Sequence, residues 1–433
     1  MPWDFETEPE FQAKLDWADR FVRDEVEPLD LLWGGLEFTP PDARLRKVID
    51  PLKDEVRRQK LWATHLGPDL GGEGYGQVKL CLLNEILGRS SWAPIIFGCQ
   101  APDTGNAEII AHYGTPEQKE RYLRPLLEGE IFSCYSMTEP QAGADPTMFE
   151  TRARRDGDEW VLDGWKFFSS NARTAAFLIV MAVTDPDVSA YQGMSMFLVP
   201  TDTPGIEIER NIGLAGEPLG EGSHALIHYD GVRVPAEALL GGEGQAFAIA
   251  QTRLGGGRIH HAMRTIGMAG QAIDMMCERA LSRETKGSLL ADKQFVQGYI
   301  ADSYAQLAQF RLFVLHTAWS IDTYDDYRKV RKDIAAVKVV MPDVLHDIAQ
   351  RALQVHGALG VSNEMPFMKM VLAASVLGLA DGPTEVHKVT VARQVLRDHR
   401  PSDDLWPSQH LPKRLAAARA KYAEHLEHEV RNL

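Results

Sequence analysis

Residues 133–243 restrict the possible folds of this sequence more than any other segment. This stretch contains short runs rich in β-branched and aromatic residues, such as AAFLIVMAV and MSMFLVP, separated by Gly, Pro and Asp. No helical periodicity lies between the runs, and strands in that arrangement predict a small antiparallel barrel or sandwich rather than a doubly wound sheet. Within the run DEWVLDGWKFFSS, Asp163 and Gly164 are expected to form a hairpin turn.

The sequence on both sides of this segment has the periodicity of helices. Phe11, Leu15, Ala18 and Val22 recur at helical spacing near the N-terminus. Thr115 is expected to cap a helix that has Pro in its first turn, whereas the Gly and Pro residues of LLWGGLEFTPPDARLR predict a loop. After the β-rich segment, long periodic stretches predict the helices of an antiparallel bundle.

Together these patterns predict an α+β fold that is mostly α. The expected order is an N-terminal helical domain (residues 1–132), a middle antiparallel β-domain (133–243), a C-terminal four-helix bundle (244–400) and a helical tail (401–433). The polar tail contains one charged helix, which is expected at the surface or on a neighbouring subunit.

The composition is that of a globular protein and argues against several functions. The 433 residues carry a formal net charge of −15, and a nucleic-acid binder needs a basic face instead. No uncharged apolar run is long enough to cross a membrane. The acidic N-terminal stretch lacks the pattern of a targeting signal, and Cys81, Cys99, Cys134 and Cys277 form no CxxC pair. These features predict a cytoplasmic protein with free thiols.

Two glycine-rich stretches and a histidine pair do not match common ligand-binding patterns. GPDLGGEGYG lacks the Lys-Ser/Thr ending of a phosphate-binding loop, and RLGGGR does not open a helix after a strand. His260 and His261 are adjacent, whereas a zinc pair on a helix requires a spacing of four residues. The sequence therefore predicts neither Rossmann-type dinucleotide binding nor a metal site.

The stretch CYSMTEPQAGADP, Cys134 to Pro146, lies where helices give way to strands. Its small residues allow a flat ligand to approach the backbone, and Thr138 offers a hydrogen-bond donor. In the later stretch GWKFFSSN, Phe168 and Ser170 are two residues apart and are expected on one face of a strand, where a planar ring could stack. A half-buried strand that packs Phe168 into the β core is an equally good interpretation of this spacing.

A single acid, Asp381, stands between the apolar run VLAASVLGLA and a Gly-Pro turn in GLADGPTEVHK. It could cap the following helix, which is expected to begin near Pro383, because Asp, Gly, Pro and Thr are common at helix starts. The apolar run also supplies a dry environment, which raises the pKa of a carboxylate, while the dipole of the following helix favours the ionised form.

Five segments, in this order and at these separations, resemble the acyl-CoA dehydrogenase family of flavoproteins. They are YSMTEPQAGAD, DGWKFFSSN, GGGRIHHAMRTIGMAGQAIDMMCERALSRETKG, QVHGALGV and LADGPTEVHKVTVAR. The resemblance spans nearly the whole chain, and the GGGRIHHAMRTIG run is similar to the branch that includes the eukaryotic family members ten and eleven. It implies the same order of domains that the periodicity predicts.

The resemblance implies FAD as the cofactor and a set of residues that bind it. Phe168 stands where most of the family has Trp, and Ala144 stands where Ser commonly contacts the pantetheine. Some of the implied residues would reach the FAD of a neighbouring protomer, so a homo-oligomer, dimer or tetramer, is expected. The implied cofactor-binding residues are Tyr135, Met137, Thr138, Gly143, Ala144, Phe168, Ser170, Arg283, Gln294, Gln354, His356, Gly357, Thr384 and Glu385.

Asp381 stands at the position of the family's catalytic base, which is normally Glu. The resemblance implies that Asp381 removes the α-proton of a saturated acyl-CoA in fatty-acid β-oxidation while the β-hydride passes to flavin N5, which gives a trans-2-enoyl-CoA. Arg258, Ala144 and Gly382 are the implied substrate contacts, and electron-transferring flavoprotein is the implied electron acceptor. The alternatives on this fold are an acyl-CoA oxidase, a flavin monooxygenase and a non-catalytic acyl-CoA-binding flavoprotein.

Overall fold

The computed structural model describes residues 5, 7–36, 39, 41–68, 72–214 and 216–426. The loop expected within 31–46 includes positions 37, 38 and 40, and the glycine-rich stretch 67–76 includes 69–71, so these parts of the two predictions lie outside the described residues. Residues 1–388 form one compact unit and residues 389–433 form another.

The N-terminal part of the first unit is helical, as the periodicity predicts. In α1, the side chains of Phe11, Leu15 and Ala18 are buried on one face. At the start of α7, the Gln118 backbone N–H donates to Thr115 Oγ1 (3.2 Å) and the Thr115 N–H donates to Gln118 Oε1 (3.1 Å), so the predicted cap is confirmed. The helices are α1 (Pro9–Phe21), α2 (Glu27–Trp33), α3 (Ala43–Arg58), α4 (Gln77–Leu87), α5 (Ala93–Ile96), α6 (Asp103–Tyr113), α7 (Pro116–Gln118) and α8 (Arg124–Leu127).

The middle part is a curled sheet. Within the described residues, seven strands pair in the order β1-β4-β2-β3-β7-β6, with β5 paired to β4. They are β1 (Ser133–Ser136), β2 (Arg152–Asp156), β3 (Glu159–Lys166), β4 (Phe177–Val183), β5 (Met194–Pro200), β6 (Ile206–Ile212) and β7 (His224–Pro235).

The sheet is not wholly antiparallel, which corrects the prediction in one respect. Strands β1 and β2 both run parallel to β4: β1 pairs with its first half, and β2 meets it at Arg152 and Val183. The two strands therefore lie end to end along one edge of β4, and the chain between them, residues 137–151, leaves the sheet as a loop. Ala142 and Phe149 of this loop lie in the same buried cluster as Ala107 and Ile110 of α6.

The hairpin turn predicted at Asp163 and Gly164 is wrong. Both residues lie inside β3, and the β2–β3 turn is formed at Gly157, whose φ is 65°. Gly164 instead marks an irregularity in the pairing of β3 with β7, and a Cβ on it would lie 2.6 Å from Thr151 Cα. Glycine is needed at this position because two backbone segments approach closely.

The C-terminal part of the first unit is a bundle of long helices, as predicted. Ile259, Phe310, Met341 and Ile348 are among the residues buried between them. The helices are α9 (Ala246–Ser282), α10 (Gln294–Tyr324), α11 (Arg331–His356) and α12 (Phe367–Leu379), with the small hairpin β8 (Glu284–Thr285) and β9 (Ser288–Leu289) between α9 and α10. Helix α13 (Thr384–Arg397) begins within one residue of the predicted start.

The second unit contains the end of α13, then α14 (Leu411–Lys421) and α15 (Ala423–Leu426). Helix α14 is exposed along its length, as expected for a charged helix, and the Lys413 ammonium pairs with Asp404 (2.7 Å). Residues 427–433 of the predicted tail lie outside the described residues. No helix among the described residues is both long enough and apolar enough to cross a membrane. The cytoplasmic location and the domain bounds stay predictions.

Candidate active site

Asp381 lies in the tight connection between α12 and α13 and has an uncommon backbone conformation. Its φ is +55° and that of Gly382 is +99°, so two consecutive residues are in the left-handed region. Two side chains hold this turn: Arg258 Nε donates to the Asp381 carbonyl oxygen (3.0 Å), and His387 Nε2–H donates to the same oxygen (3.2 Å). The backbone of the acid is therefore fixed by charge-assisted and neutral hydrogen bonds.

The carboxylate of Asp381 lies against α9. Its Oδ2 is 3.6 Å from His261 Nε2 and 3.4 Å from the position that a Cβ on Gly257 would occupy. Within the described residues the carboxylate accepts no hydrogen bond, so it does not cap α13. The hydroxyl of Thr384, at the first position of α13, donates to Gly378 O instead (3.2 Å). The structure therefore contradicts the interpretation that the Asp381 side chain caps α13.

The charges around Asp381 decide its protonation. Burial raises the pKa of Asp381, but His261, Arg253, Arg258 and Lys338 lower it, and the net direction is down. Burial also lowers the pKa of His261 to about 4, so this ring is neutral near pH 7 and the arginines and Lys338 keep Asp381 ionised. Burial therefore acts on this acid in the predicted direction, but the cations from α9 and α11 outweigh it, and the net pKa is lowered rather than raised.

Lys338, on α11, is almost fully buried beside this acid. Burial lowers the pKa of Lys338 to about 8, and Asp381 opposes the shift. Its ammonium donates to the carbonyl oxygen of Leu377 near the end of α12. This contact satisfies a carbonyl at the C-terminal end of α12, where a cation is favoured by the helix dipole.

Arg253 connects Asp381 to the first strand of the sheet. The guanidinium carbon lies 3.9 Å from the centre of the Tyr135 ring, and Nε donates to Asn106 Oδ1 on α6 (2.8 Å). Burial raises the pKa of Tyr135 to about 12, with Arg253 opposing the shift and Asp381 adding to it. The Tyr135 hydroxyl is buried and has no partner in the part of the chain that the structure describes. The charges of Arg253 and Asp381 both act on Tyr135, so β1 and the α12–α13 turn are electrostatically coupled.

The loop that follows Tyr135 is joined to the end of β3 by a buried ion pair. Lys166 Nζ lies 2.9 Å from Glu139 Oε1 and donates to Met137 O (2.8 Å). The Phe167 N–H donates to Thr138 O (2.8 Å). Met137 and Thr138 are thus positioned by the residues that lead into the second predicted ligand loop.

Phe168 and Ser170 lie in that second loop, not on a strand face, because β3 ends at Lys166. Phe168 has a φ of +54° and its side chain is 45% exposed, so it is not packed into the β core. Its ring contacts the rings of Phe167 and His224, at centroid distances of 4.5 and 5.4 Å, and Ser170 Oγ lies 2.9 Å from His224 Nδ1. The loop presents an exposed aromatic face beside a hydroxyl.

The remaining predicted residues lie at the surface or at helix ends. Gly143 and Ala144 are exposed, and a Cβ on Gly143 would meet nothing within 4 Å. Glu385 is exposed at the start of α13. Arg283 and Gln294, which flank the β8–β9 hairpin, are exposed, as are Gln354 and Gly357 at the end of α11. His356 is buried and its Nδ1–H donates to Ala352 O (2.8 Å). Arg258 contacts Asp381, Gly382 follows it in the chain, and the charge of Asp381 acts on Tyr135, but the described contacts do not connect these helix-end residues to it.

Arg253, His261 and Lys338 are charged or titratable residues of this site that the sequence did not predict. Arg253, Gly257 and His261 are spaced by four residues on α9, and that spacing alone indicates one helix face. Lys338 comes from α11, and no local pattern around it points to Asp381.

Known protein families match this chain domain by domain, in the same order as the three parts of the first unit. Three acyl-CoA dehydrogenase domain descriptions match: the N-terminal domain over residues 8–130, the middle domain over 134–223 and the C-terminal domain over 244–396. The order and nature of these three domains define the chain as a member of a class of oxidoreductases.

Individual relatives support the same class. "Probable acyl-CoA dehydrogenase FadE2" of Mycobacterium tuberculosis is 41% identical, with 91% of this chain and 93% of the relative aligned. "Acyl-CoA dehydrogenase family member 11" of Rattus norvegicus is 42% identical over 81% of this chain, which spans only 45% of that relative's length. A solved structure from Mycobacterium abscessus, provisionally described as an acyl-CoA dehydrogenase, is 37% identical with a TM-score of 0.84 over 91% of this chain and 100% of that one. The chain belongs to the acyl-CoA dehydrogenase family.

Proposed function

We propose that this chain is an FAD-dependent enzyme that converts a saturated acyl-CoA to a trans-2-enoyl-CoA, with Asp381 as the base. The observation that carries the proposal is the state of the Asp381 carboxylate: the charges around it favour the ionised form, and it accepts no hydrogen bond within the described residues. Every lone pair of this carboxylate is therefore available to accept a proton from carbon.

The proposed cofactor is FAD, and Tyr135 together with the two loops joined by Lys166 and Glu139 fits a flat ring system. Phe168 offers an exposed aromatic face, the Tyr135 hydroxyl is buried without a partner, and Gly143 leaves open space around the first loop. Met137, Thr138 and Ser170 would hold the ring from the two joined loops. When bound, FAD supplies the acceptor for the hydride that leaves the β-carbon of the acyl group.

Asp381 would take the α-proton of the thioester. The nearby cations Arg253, Arg258 and Lys338 keep it ionised before the reaction, which favours the proton-accepting form but lowers its basicity. Arg258 fixes the backbone of Asp381 through the carbonyl oxygen, so in this chain it is a positioning residue. Contacts of Arg258, Ala144 and Gly382 with the CoA part of the substrate remain part of the proposal.

The proposal extends to partners. Arg283, Gln294, Gln354 and Gly357 are exposed, which is the state expected if they bind the FAD of a second copy of the chain in a dimer or tetramer. Electron-transferring flavoprotein is the proposed electron acceptor, and fatty-acid β-oxidation is the proposed context.

The test is an anaerobic titration of the FAD-loaded protein with saturated acyl-CoA thioesters of different length and branching, followed by flavin absorbance. Bleaching by one group of thioesters is expected, and this group identifies the substrate class. Asp381→Asn should still bind the same thioesters, seen as a shift of the flavin spectrum, but should reduce the flavin about 10²- to 10⁴-fold more slowly.

Two results would contradict the proposal. Equal rates of flavin reduction in the wild type and in Asp381→Asn would exclude Asp381 as the base. If every thioester bound without bleaching the flavin, the non-catalytic acyl-CoA-binding flavoprotein would become the better interpretation.

A further inference from the structure

A cavity of about 170 Å³ lies between α3 and the segments that lead into β1 and β4. Helix α3 contributes Ile49 and Lys53 to its lining. Residues 129–132, which precede β1, and residues 174–176, which precede β4, form further parts of the wall. None of the described residues whose charges act on Asp381 lines this cavity. It is therefore separate from the candidate active site.

Lys53 stands at a core position of α3. The buried residues of this helix are Leu45, Ile49, Lys53 and Val56, which recur at helical spacing and define one face. A lysine on such a face commonly buries its stem and extends its ammonium to water. Here the residue as a whole is only 7% exposed. Helix α3 therefore brings a cationic side chain into the interior, at the wall of the cavity.

The ammonium of Lys53 lacks a partner among the described residues. Its Nζ lies 3.7 Å from the position that a Cβ on Gly129 would occupy, and Gly129 also lines the cavity, so the charged end reaches this wall. It neither donates a hydrogen bond nor forms an ion pair there. Burial lowers the pKa of Lys53, with Asp50 opposing the shift and Arg57 and Arg46 adding to it. A buried cation without a counter-ion is costly, so the arrangement points to an anionic ligand.

Arg57, four positions after Lys53 on α3, shows how a cation is satisfied in this region. Its Nη1 donates to Asp54 (3.0 Å), its Nη2 donates to Glu128 O (2.7 Å), and its guanidinium carbon lies 4.1 Å from the centre of the Trp62 ring. These contacts also hold the segment before Gly129 against α3. One wall of the cavity is thus fixed by protein contacts, while Lys53 keeps its hydrogen-bonding capacity.

The rest of the cavity favours an organic ligand. Ile49, Trp92 and Ile95 line it and are buried, so they offer apolar surface close to the cation. For scale, an apolar cavity of about 150 Å³ holds one benzene molecule. The space therefore fits a single ring or a short alkyl chain that carries one charged group.

Other charged residues at the cavity do not oppose an anion. Asp50, Glu130 and Arg46 also line it, but all three are exposed. Water and salt screen exposed charges much more than buried ones. The buried Lys53 therefore decides the sign of the ligand.

We propose that this cavity binds a small carboxylate, whose charge pairs with the Lys53 ammonium and whose apolar body lies against Ile49, Trp92 and Ile95. The apolar body is a short alkyl chain or a single ring. The site is additional to the acyl-CoA reaction assigned to Asp381 and does not depend on it.

The experiment is a calorimetric titration of the FAD-loaded protein with benzoate and with hexanoate. Saturable binding of one carboxylate per chain is expected. Benzamide, which has the shape of benzoate without its charge, should bind about 10-fold more weakly or worse, and so should inorganic phosphate, which has charge without an apolar body.

Lys53→Met keeps most of the stem and removes the ammonium. It should weaken benzoate binding about 10- to 100-fold and leave the rate of flavin reduction by a saturated thioester unchanged. Lys47→Met is the matched control, because Lys47 is an exposed lysine of the same helix that does not line the cavity. This control should bind benzoate as the wild type does.

Thermal unfolding gives a second measurement. Without ligand, Lys53→Met should unfold at a temperature no lower than the wild type, because it removes a buried cation that has no partner. Benzoate should raise the unfolding temperature of the wild type and have a much smaller effect on the variant. Ala176→Leu, which enlarges a side chain of the wall and keeps Lys53, should also weaken benzoate binding, and it tests the site if Lys53→Met fails to fold.

Three results would overturn the inference. Equal benzoate affinity in the wild type and in Lys53→Met would place the carboxylate elsewhere. Phosphate or benzamide binding as tightly as benzoate would reject a ligand that needs both a charge and an apolar body. Absence of binding by benzoate and hexanoate at millimolar concentrations, together with normal flavin reduction by a thioester, would reject the carboxylate site and leave the dehydrogenase proposal standing.

Discussion

Two acids of this chain, Glu139 and Asp381, have nearly opposite arrangements of partners. Glu139 has its oxygens occupied: Lys166 Nζ lies 2.9 Å away, and the Glu150 and Thr151 N–H groups donate at 2.6 and 3.0 Å. Asp381 is surrounded by several cations, yet within the described residues its carboxylate accepts no hydrogen bond. The bonds made near it go to its backbone carbonyl oxygen instead.

The difference shows how the chain separates holding a loop from doing chemistry. The Glu139–Lys166 pair is fully buried and directly joins the loop after β1 to the end of β3, so its role is structural. At Asp381 the backbone is fixed and the charge is maintained at a distance, which leaves the oxygens free to react. A base that must accept a proton from carbon needs a fixed position and free oxygens. Asp381 has both, because its backbone is held by hydrogen bonds while its carboxylate is affected by nearby charges without accepting a hydrogen bond within the described residues.

The largest effect on stability is expected from breaking the structural pair. Lys166→Met leaves Glu139 buried without its cation, and removal of one partner from a buried pair costs about 3–5 kcal/mol. Chemical denaturation should show this loss of unfolding free energy. Lys413→Met is the matched control, because Lys413 and Asp404 are both partly exposed, and loss of an exposed pair costs about 1 kcal/mol or less. Similar losses in the two variants would contradict a special role for the buried pair.

How much of this contrast could be predicted from the sequence depends on how far apart the partners lie. The order of domains and the acid at 381 could be predicted, because helical spacing and motif order are local properties. The pairing of Lys166 with Glu139 joins residues 27 positions apart, and Lys338 acts on Asp381 from another helix, α11. The prediction for Phe168 is wrong for a different reason. Its two-residue spacing from Ser170 fits a strand, but β3 ends two residues before Phe168, and Phe168 adopts a positive φ.

An intermediate effect is expected from loosening the turn that holds Asp381. Arg258→Gln removes a charge-assisted hydrogen bond to the Asp381 carbonyl oxygen, and such bonds are worth about 1.5–3 kcal/mol. If Arg258 positions the base, kcat for flavin reduction should fall roughly 10- to 150-fold, with little change in the affinity for the thioester. A rise in KM with kcat unchanged would show that Arg258 binds CoA instead. Arg258→Lys, which retains the charge, should recover part of the rate.

The smallest effect is expected from pH, and here the two acids should behave alike. The pKa of Asp381 in the folded protein lies below its ordinary value, and so does that of Glu139. Both carboxylates are therefore ionised at any pH above their ordinary pKa values, and each loses its charge only when the pH falls through its folded-state pKa. Flavin reduction by a saturated thioester should therefore stay nearly constant from about pH 5 to about pH 7.5, below the pKa of about 8 of Lys338. The measurement is the rate of flavin bleaching in rapid mixing across that range. A rise in rate with a midpoint between these two pH values would show that, once substrate is bound, burial raises the pKa of Asp381 more than Arg253, Arg258 and Lys338 lower it. Asp381 would then differ from Glu139 in the direction of its pKa shift as well as in its hydrogen bonds.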